Sequence, residues 1–169
     1  QASCLPCTPG ERQPLPGSPT CIRCLAGRSS FEISRIRPCD SCTKGRYQQE
    51  VGMTACLQCV PGQYQNQEEQ RNCTLCASGR ASPVAKLPND CNPCSEGRYQ
   101  QEVGMTACLK CVPGQYQDQK EQHGCEFCPI GKFRSSEIDL TCELCPMGYT
   151  AIFSGQASCQ KCGAGKAGR

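Results

Sequence analysis

Twenty of the 169 residues are cysteine, and all of them stand in CxxC pairs. The ten pairs begin at Cys4, Cys21, Cys39, Cys56, Cys73, Cys91, Cys108, Cys125, Cys142 and Cys159. Three chemistries use this spacing. Two CxxC pairs can supply the four thiolates of a tetrahedral zinc site. One CxxC with a depressed thiol pKa can exchange disulfides, but it does so on a βαβ scaffold, and ten copies without one do not make a redox site. Cysteines in an oxidising compartment can cross-link a chain that lacks a core. Leu, Ile, Val and Phe number 24 and there is no Trp. Such a chain would read as disordered without covalent help, which favours cross-linking.

Little else in the sequence could do chemistry. A single histidine, scattered carboxylates and no phosphate-cradling glycine loop leave nothing to build a catalytic site from, so no enzyme and no cofactor are expected. No calcium loop of the D-x-D-x-D-G kind is present. The net charge is only +3, with both signs interspersed. That is no footprint for nucleic acid or a membrane surface, and no apolar run nears the ~20 residues that span a bilayer. The density of cysteine points to an extracellular or cell-surface setting.

The elements that position the cysteines come from a repeat. Successive CxxC pairs start 17 or 18 residues apart, and a glycine stands three residues after every second cysteine, from Gly10 to Gly165. A turn there needs positive φ or close backbone approach. Two residues further on comes an aromatic in five units (Tyr47, Tyr64, Tyr99, Tyr116, Phe133), and Tyr149 sits one position earlier in its own unit. On a short strand each could cover the neighbouring disulfide and serve as local core. Gly52, Gly104 and Gly155 stand four residues before a closing cysteine and predict a hairpin-like return. The expected fold is an array of small disulfide-rich repeats, an elongated solenoid-like rod of short β-hairpins and turns. It has little helix and no conventional core.

A longer period lies over the short one. Gly45–Gln65 and Gly97–Gln117 differ only at Gln58/Lys110 over 21 positions, at an offset of 52 residues, or three units. The super-repeat covers 24–75 and 76–127 within one continuous array, 1–169, of about nine units, read as a piece of a longer array. Pairing the CxxC motifs by twos, in disulfide blocks or around zinc, would send Cys39/Cys42 forwards and their duplicates Cys91/Cys94 backwards. Near-identical segments would then need unlike covalent structures. A uniform scheme joins the second cysteine of each pair to the first of the next. It gives Cys7–Cys21, Cys24–Cys39, Cys42–Cys56, Cys59–Cys73, Cys76–Cys91, Cys94–Cys108, Cys111–Cys125, Cys128–Cys142 and Cys145–Cys159. Cys4 and Cys162 are left for units outside. Closing each loop is worth ~3 kcal/mol by loop-closure entropy. A bonded CxxC with other partners and a Cys4 zinc array remain as alternatives; His123 aligns with Arg71 of the first copy and reads as a surface residue.

The stretches CVPGQYQNQEEQRNCTLC, CPIGKFRSSEIDLTCELC and CPMGYTAIFSGQASCQKC resemble the ephrin-receptor-like cysteine-rich repeat, along essentially the whole chain. The CxxCxxGxY opening is also similar to the first half-module of tumour-necrosis-factor-receptor repeats, a resemblance that implies the same Cys-to-next-Cys loop. Proline is missing from CTKG, CASG and CSEG, and the units opening at Cys7 and Cys76 lack the aromatic. The expected function is a non-enzymatic extracellular rod, stalk or fibre: matrix, surface filament or flagellar appendage. Near-identical copies would present one surface at regular intervals for packing on itself. The alternative is a ligand-binding segment of a receptor ectodomain, with Arg46, Tyr47, Arg98 and Tyr99 as candidate anchors for a protein ligand. Asn72 opens an NCT sequon for N-linked sugar, and the Pro-rich segment between Cys7 and Cys21 is open to O-linked sugar.

Overall fold

The computed structural model describes residues 5–165. Cys4 lies outside the described residues. Among them there is no helix; the polar stretches after Tyr64 and Tyr116 form bends. Eighteen two-residue strands pair into nine antiparallel hairpins, each hairpin a sheet by itself. Arg46–Tyr47 pairs with Leu57–Gln58, and its duplicate Arg98–Tyr99 pairs with Leu109–Lys110 in the same register.

Nine disulfides close nine loops: Cys7–Cys21, Cys24–Cys39, Cys42–Cys56, Cys59–Cys73, Cys76–Cys91, Cys94–Cys108, Cys111–Cys125, Cys128–Cys142 and Cys145–Cys159. Each of the eight CxxC pairs from Cys21/Cys24 to Cys142/Cys145 is thus divided between two loops. Cys162 is not bonded within the described residues. The second cysteine of a pair ties its own hairpin shut: Cys42 N–H donates to Gly27 O at 2.8 Å, and Cys94 N–H to Gly79 O at 2.8 Å.

Contacts divide the chain into two compact units. One is the segment up to Cys76 together with Ser82–Cys91; the other is Ala77–Ala81 together with the segment from Asn92 onward. Within each unit the loops hand hydrogen bonds forward by a fixed rule. Gly27 N–H donates to Gln48 O in the next loop, and Gly79 N–H donates to Gln100 O, both at 2.7 Å. The bond reaching back comes from the return turn: Glu69 N–H donates to Cys42 O and Glu121 N–H to Cys94 O.

Gly27 shows what demands glycine at this position where the loops approach closely. Its φ is +81°, and a Cβ there would lie 2.2 Å from the carbonyl oxygen of Glu69, two loops on. Gly79 repeats the case, at φ +77° and 2.3 Å from Glu121 O. Both steric exclusion and the left-handed backbone demand a residue without Cβ. The return turn also needs positive φ, but only some copies meet it with glycine. Gly52, Gly104 and Gly155 do, whereas Glu69, Lys86 and Glu121 adopt φ of 56–62° with a full side chain.

Gly148 has φ +82° with nothing near its missing Cβ, which makes it the control for Gly79. Gly148→Ala should cost only the backbone strain, about 1–3 kcal/mol. Gly79→Ala should cost more, and should also speed hydrogen exchange at Glu121 N–H; equal costs at the two sites would contradict the close approach.

Candidate functional site

Seven of the nine loops bury a polar residue where a larger domain would bury an apolar one; the first has the half-buried Gln13 there and the last the buried Ala151. The position is three residues after the repeated glycine, where Ser30, Gln48, Gln65, Ser82, Gln100, Gln117 and Arg134 are all buried. Gln48 uses every polar group it has. Its Nε2 donates to Ala55 O at 2.7 Å and its Oε1 accepts from Glu50 N–H at 3.1 Å. Its backbone accepts from Gly27 and donates to Gln70 O. Gln100 repeats all four bonds, with Ala107, Glu102, Gly79 and Gln122. One side chain therefore closes its own loop while its backbone joins three. The aromatics stand one position earlier. Tyr47, Tyr64, Tyr99, Tyr116 and Phe133 are only half-buried, and Tyr149 is exposed. They are not the core; in a two-residue strand the side chain that turns inward is the next one.

Two loops depart from the glutamine pattern with arginine. Arg134 is buried and donates to the carbonyls of Asp139, Cys111, Val112 and Gln115. It reaches Cys111 O, the kind of acceptor that a return-turn N–H takes in the other loops. Arg35, also buried, holds Asp40 in a two-pronged ion pair at 2.6 and 2.9 Å, and bonds Pro38 O. The Arg35 hydrogen bonds keep the Asp40 carboxyl below the usual carboxylate range, against a smaller desolvation effect.

The super-repeat has its own ion pair. Arg28 meets Glu69 through both carboxylate oxygens at 2.5 and 2.6 Å; 52 residues on, Arg80 meets Glu121 at 2.5 and 3.0 Å. Each pair spans from one loop to the next but one. Hydrogen bonding by the arginine, outweighing desolvation, holds both glutamates below their ordinary range. These exposed pairs are minor contributors to stability, yet they clamp the return turns whose backbones carry positive φ.

The candidate anchors are partly engaged. Arg46 and Arg98 reach the carbonyls of Cys56 and Cys108 at 3.4 and 3.3 Å, so each stiffens its own hairpin. Asn72 is exposed, and only its backbone oxygen is used, by Gln65 Nε2. Among the described residues no group of three or more His, Cys, Asp or Glu is placed to hold a metal. No helix of the described residues is long and apolar enough to cross a membrane. A groove of about 370 Å³ opens beside the Cys24–Cys39 disulfide, with Arg12, Arg23 and the Arg28–Glu69 pair around it.

Loops of this build, chained by one disulfide each, define a cysteine-rich repeat array. Residues 84–121 match the family model described as tyrosine-protein kinase ephrin type A/B receptor-like. That segment is similar to the ephrin-receptor-like family's cysteine-rich repeat, and the loops outside it repeat its glycine, its hairpin and its disulfide. No curated protein matches the chain.

Two outcomes check the polar core and the clamp. Gln48→Leu leaves Ala55 O and Glu50 N–H without partners, which costs about 1–3 kcal/mol; exchange at Glu50 N–H should rise, and an unchanged rate would contradict the bond. The depressed glutamates stabilise the fold above the ordinary glutamate range, and this part is lost as pH falls through their lowered folded values. Melting temperature against pH should therefore drop on acidification, and less steeply in a Glu69→Gln, Glu121→Gln double variant.

Proposed function

We propose that this array is a ligand-binding, non-enzymatic segment of a cell-surface receptor ectodomain, with a protein as its partner. The match of residues 84–121 to the ephrin-receptor-like family carries this reading. It supports the receptor segment over the rod, stalk or fibre that the regular repeat favours by itself. The disulfides fit an extracellular compartment, where thiols are oxidised. The loops are suited to recognition because their frames are fixed by covalent and backbone bonds, which leaves the outward side chains free to vary. The exposed Asn72 suits an N-linked glycan on the first copy alone, since Gly124 occupies its place in the second. The uniform disulfide scheme belongs to the same reading, because it gives duplicated segments the same frame.

A screen of the purified, oxidised array against displayed extracellular protein domains, together with its sedimentation, tests the proposal. The receptor reading expects a discrete species with at least one saturable protein partner. Filament growth with concentration and no partner would overturn it in favour of the stalk or fibre.

A further inference from the structure

The arginine clamp recurs at a third place with its acid missing. In the closed form an arginine follows the left-handed glycine, and the return turn two loops on presents a glutamate to it. Arg28, after Gly27, meets Glu69, and Arg80, after Gly79, meets Glu121. Arg46 follows Gly45 in the same way, but the return turn that covers Gly45 presents Lys86.

The geometry of the open case matches the closed one. Lys86 has φ +56° and donates its N–H to Cys59 O at 2.8 Å; Glu69 has φ +60° and donates to Cys42 O at 2.8 Å. The stems leave alike. A Cβ on Gly45 would lie 3.1 Å from Lys86 Cγ, and one on Gly27 would lie 3.2 Å from Glu69 Cγ. The arginines are also held alike. Arg28 Nη1 donates to the carbonyl of its closing cysteine, Cys39, at 2.9 Å, while Nε and Nη2 serve Glu69. Arg46 Nη1 reaches the carbonyl of its own closing cysteine, Cys56, at 3.4 Å. Its Nε and Nη2 have no partner among the described residues, and neither Arg46 nor Lys86 belongs to an ion pair there. The two cations line one depression of about 430 Å³, together with Phe31, which is 73% exposed. The acid that also lines it, Asp40, is already held by Arg35.

We propose that Arg46 and Lys86 are an open clamp for a carboxylate of a protein partner, an Asp or Glu side chain that takes the place Glu69 and Glu121 fill within the chain. The proposal rests on the receptor-segment reading and names the group recognised. Two like charges side by side favour an anion between them. The filled clamps show which anion the arginine fork accepts, a carboxylate bonded through both oxygens. Phe31 adds an apolar contact beside it. A sulfated polysaccharide fits less well, because a chain of anions would also meet the Asp40 carboxylate. Arg98 is the internal control: its Nη1 reaches Cys108 O at 3.3 Å, but the side chain beside Gly97 is that of Leu140.

Titration of the oxidised full chain, followed by NMR at the arginine Nε–H groups, tests this with three probes. These are N-acetylglutamate amide, N-acetylglutamine amide and a sulfated heparin disaccharide. The glutamate probe should shift the Arg46 signal saturably, with half-saturation at about threefold or more lower concentration than at Arg98. Arg28, whose clamp is filled, should not respond. Lys86→Gln should bring Arg46 to the level of Arg98. Lys86→Glu should close the clamp from within. The Arg46 signal should then move towards that of Arg28 without any probe, which a misfolded chain could not show, and should no longer respond. Equal responses of Arg46 and Arg98, equal effects of the two amides, a stronger response to the disaccharide, or an unmoved Arg46 signal in Lys86→Glu would overturn the proposal. A displayed domain that the array captures should be lost in Lys86→Glu; if it is retained, the clamp fails while the receptor reading stands. If no domain is captured, the receptor reading fails, and the titration alone decides whether the clamp takes a carboxylate.

Discussion

The structure depends on one backbone hydrogen bond, from the N–H of a left-handed glycine to the carbonyl of the buried residue in the next loop. Gly27 to Gln48 and Gly79 to Gln100 are two instances. At Gly10, Gly27, Gly45, Gly79 and Gly114 the glycine also comes so near to the turn two loops on that no side chain fits, as the 2.2 Å approach at Gly27 shows. Everything local follows from keeping that approach. The second cysteine of each pair ties back to the same glycine, so the disulfide and the hydrogen bond fix one loop from opposite ends. The covalent closure removes unfolded-state entropy; the hydrogen bond sets the register between loops.

A chain with so few large apolar residues meets the burial problem with polar side chains. Gln48 and Gln100 are tolerated inside because each donor and acceptor is matched. Arg35 does the same with a longer fork of donors; Arg134 matches Nε and Nη1 to four carbonyls and leaves its buried Nη2 without a partner. Where the polar core is matched, as at Gln48 and Gln100, it is directional, so the loop has one arrangement rather than many. The frame then repeats with a period of one loop, while the side chains outside it follow a period of three. The Arg28–Glu69 and Arg80–Glu121 clamps belong to the longer period. Some differences between the copies, such as Asn72 against Gly124, lie on the outward surface, while Arg35 against Leu87 changes a buried position.

The hairpins and the positive-φ glycines were legible in the sequence, because cysteine spacing and a glycine in every unit are backbone statements. The polar core was not, although Tyr-Gln stands in the sequence four times, at Gln48, Gln65, Gln100 and Gln117. Glutamine is usually a surface residue, so the neighbouring tyrosine attracted the core assignment and turned out half-buried. The return turn was visible only where it is glycine. Glu69, Lys86 and Glu121 hold the same backbone through bonds that no local pattern announces. The clamp partners are 41 residues apart and meet only because the loops stack.

The central claim is that the CxxC pairs between Cys21 and Cys145 are each divided between two loops, and trypsin tests it directly. Cleavage after Lys110 cuts between Cys108 and Cys111, and Arg98, Lys120 and Lys132 bound the neighbouring peptides. In a non-reducing digest, residues 99–110 should remain bonded to 87–98, and residues 111–120 to 121–132, with no link between the two groups. If 99–110 and 111–120 were both bonded to 121–132, the pairs would be closing by twos, and the account of a uniform frame would be wrong.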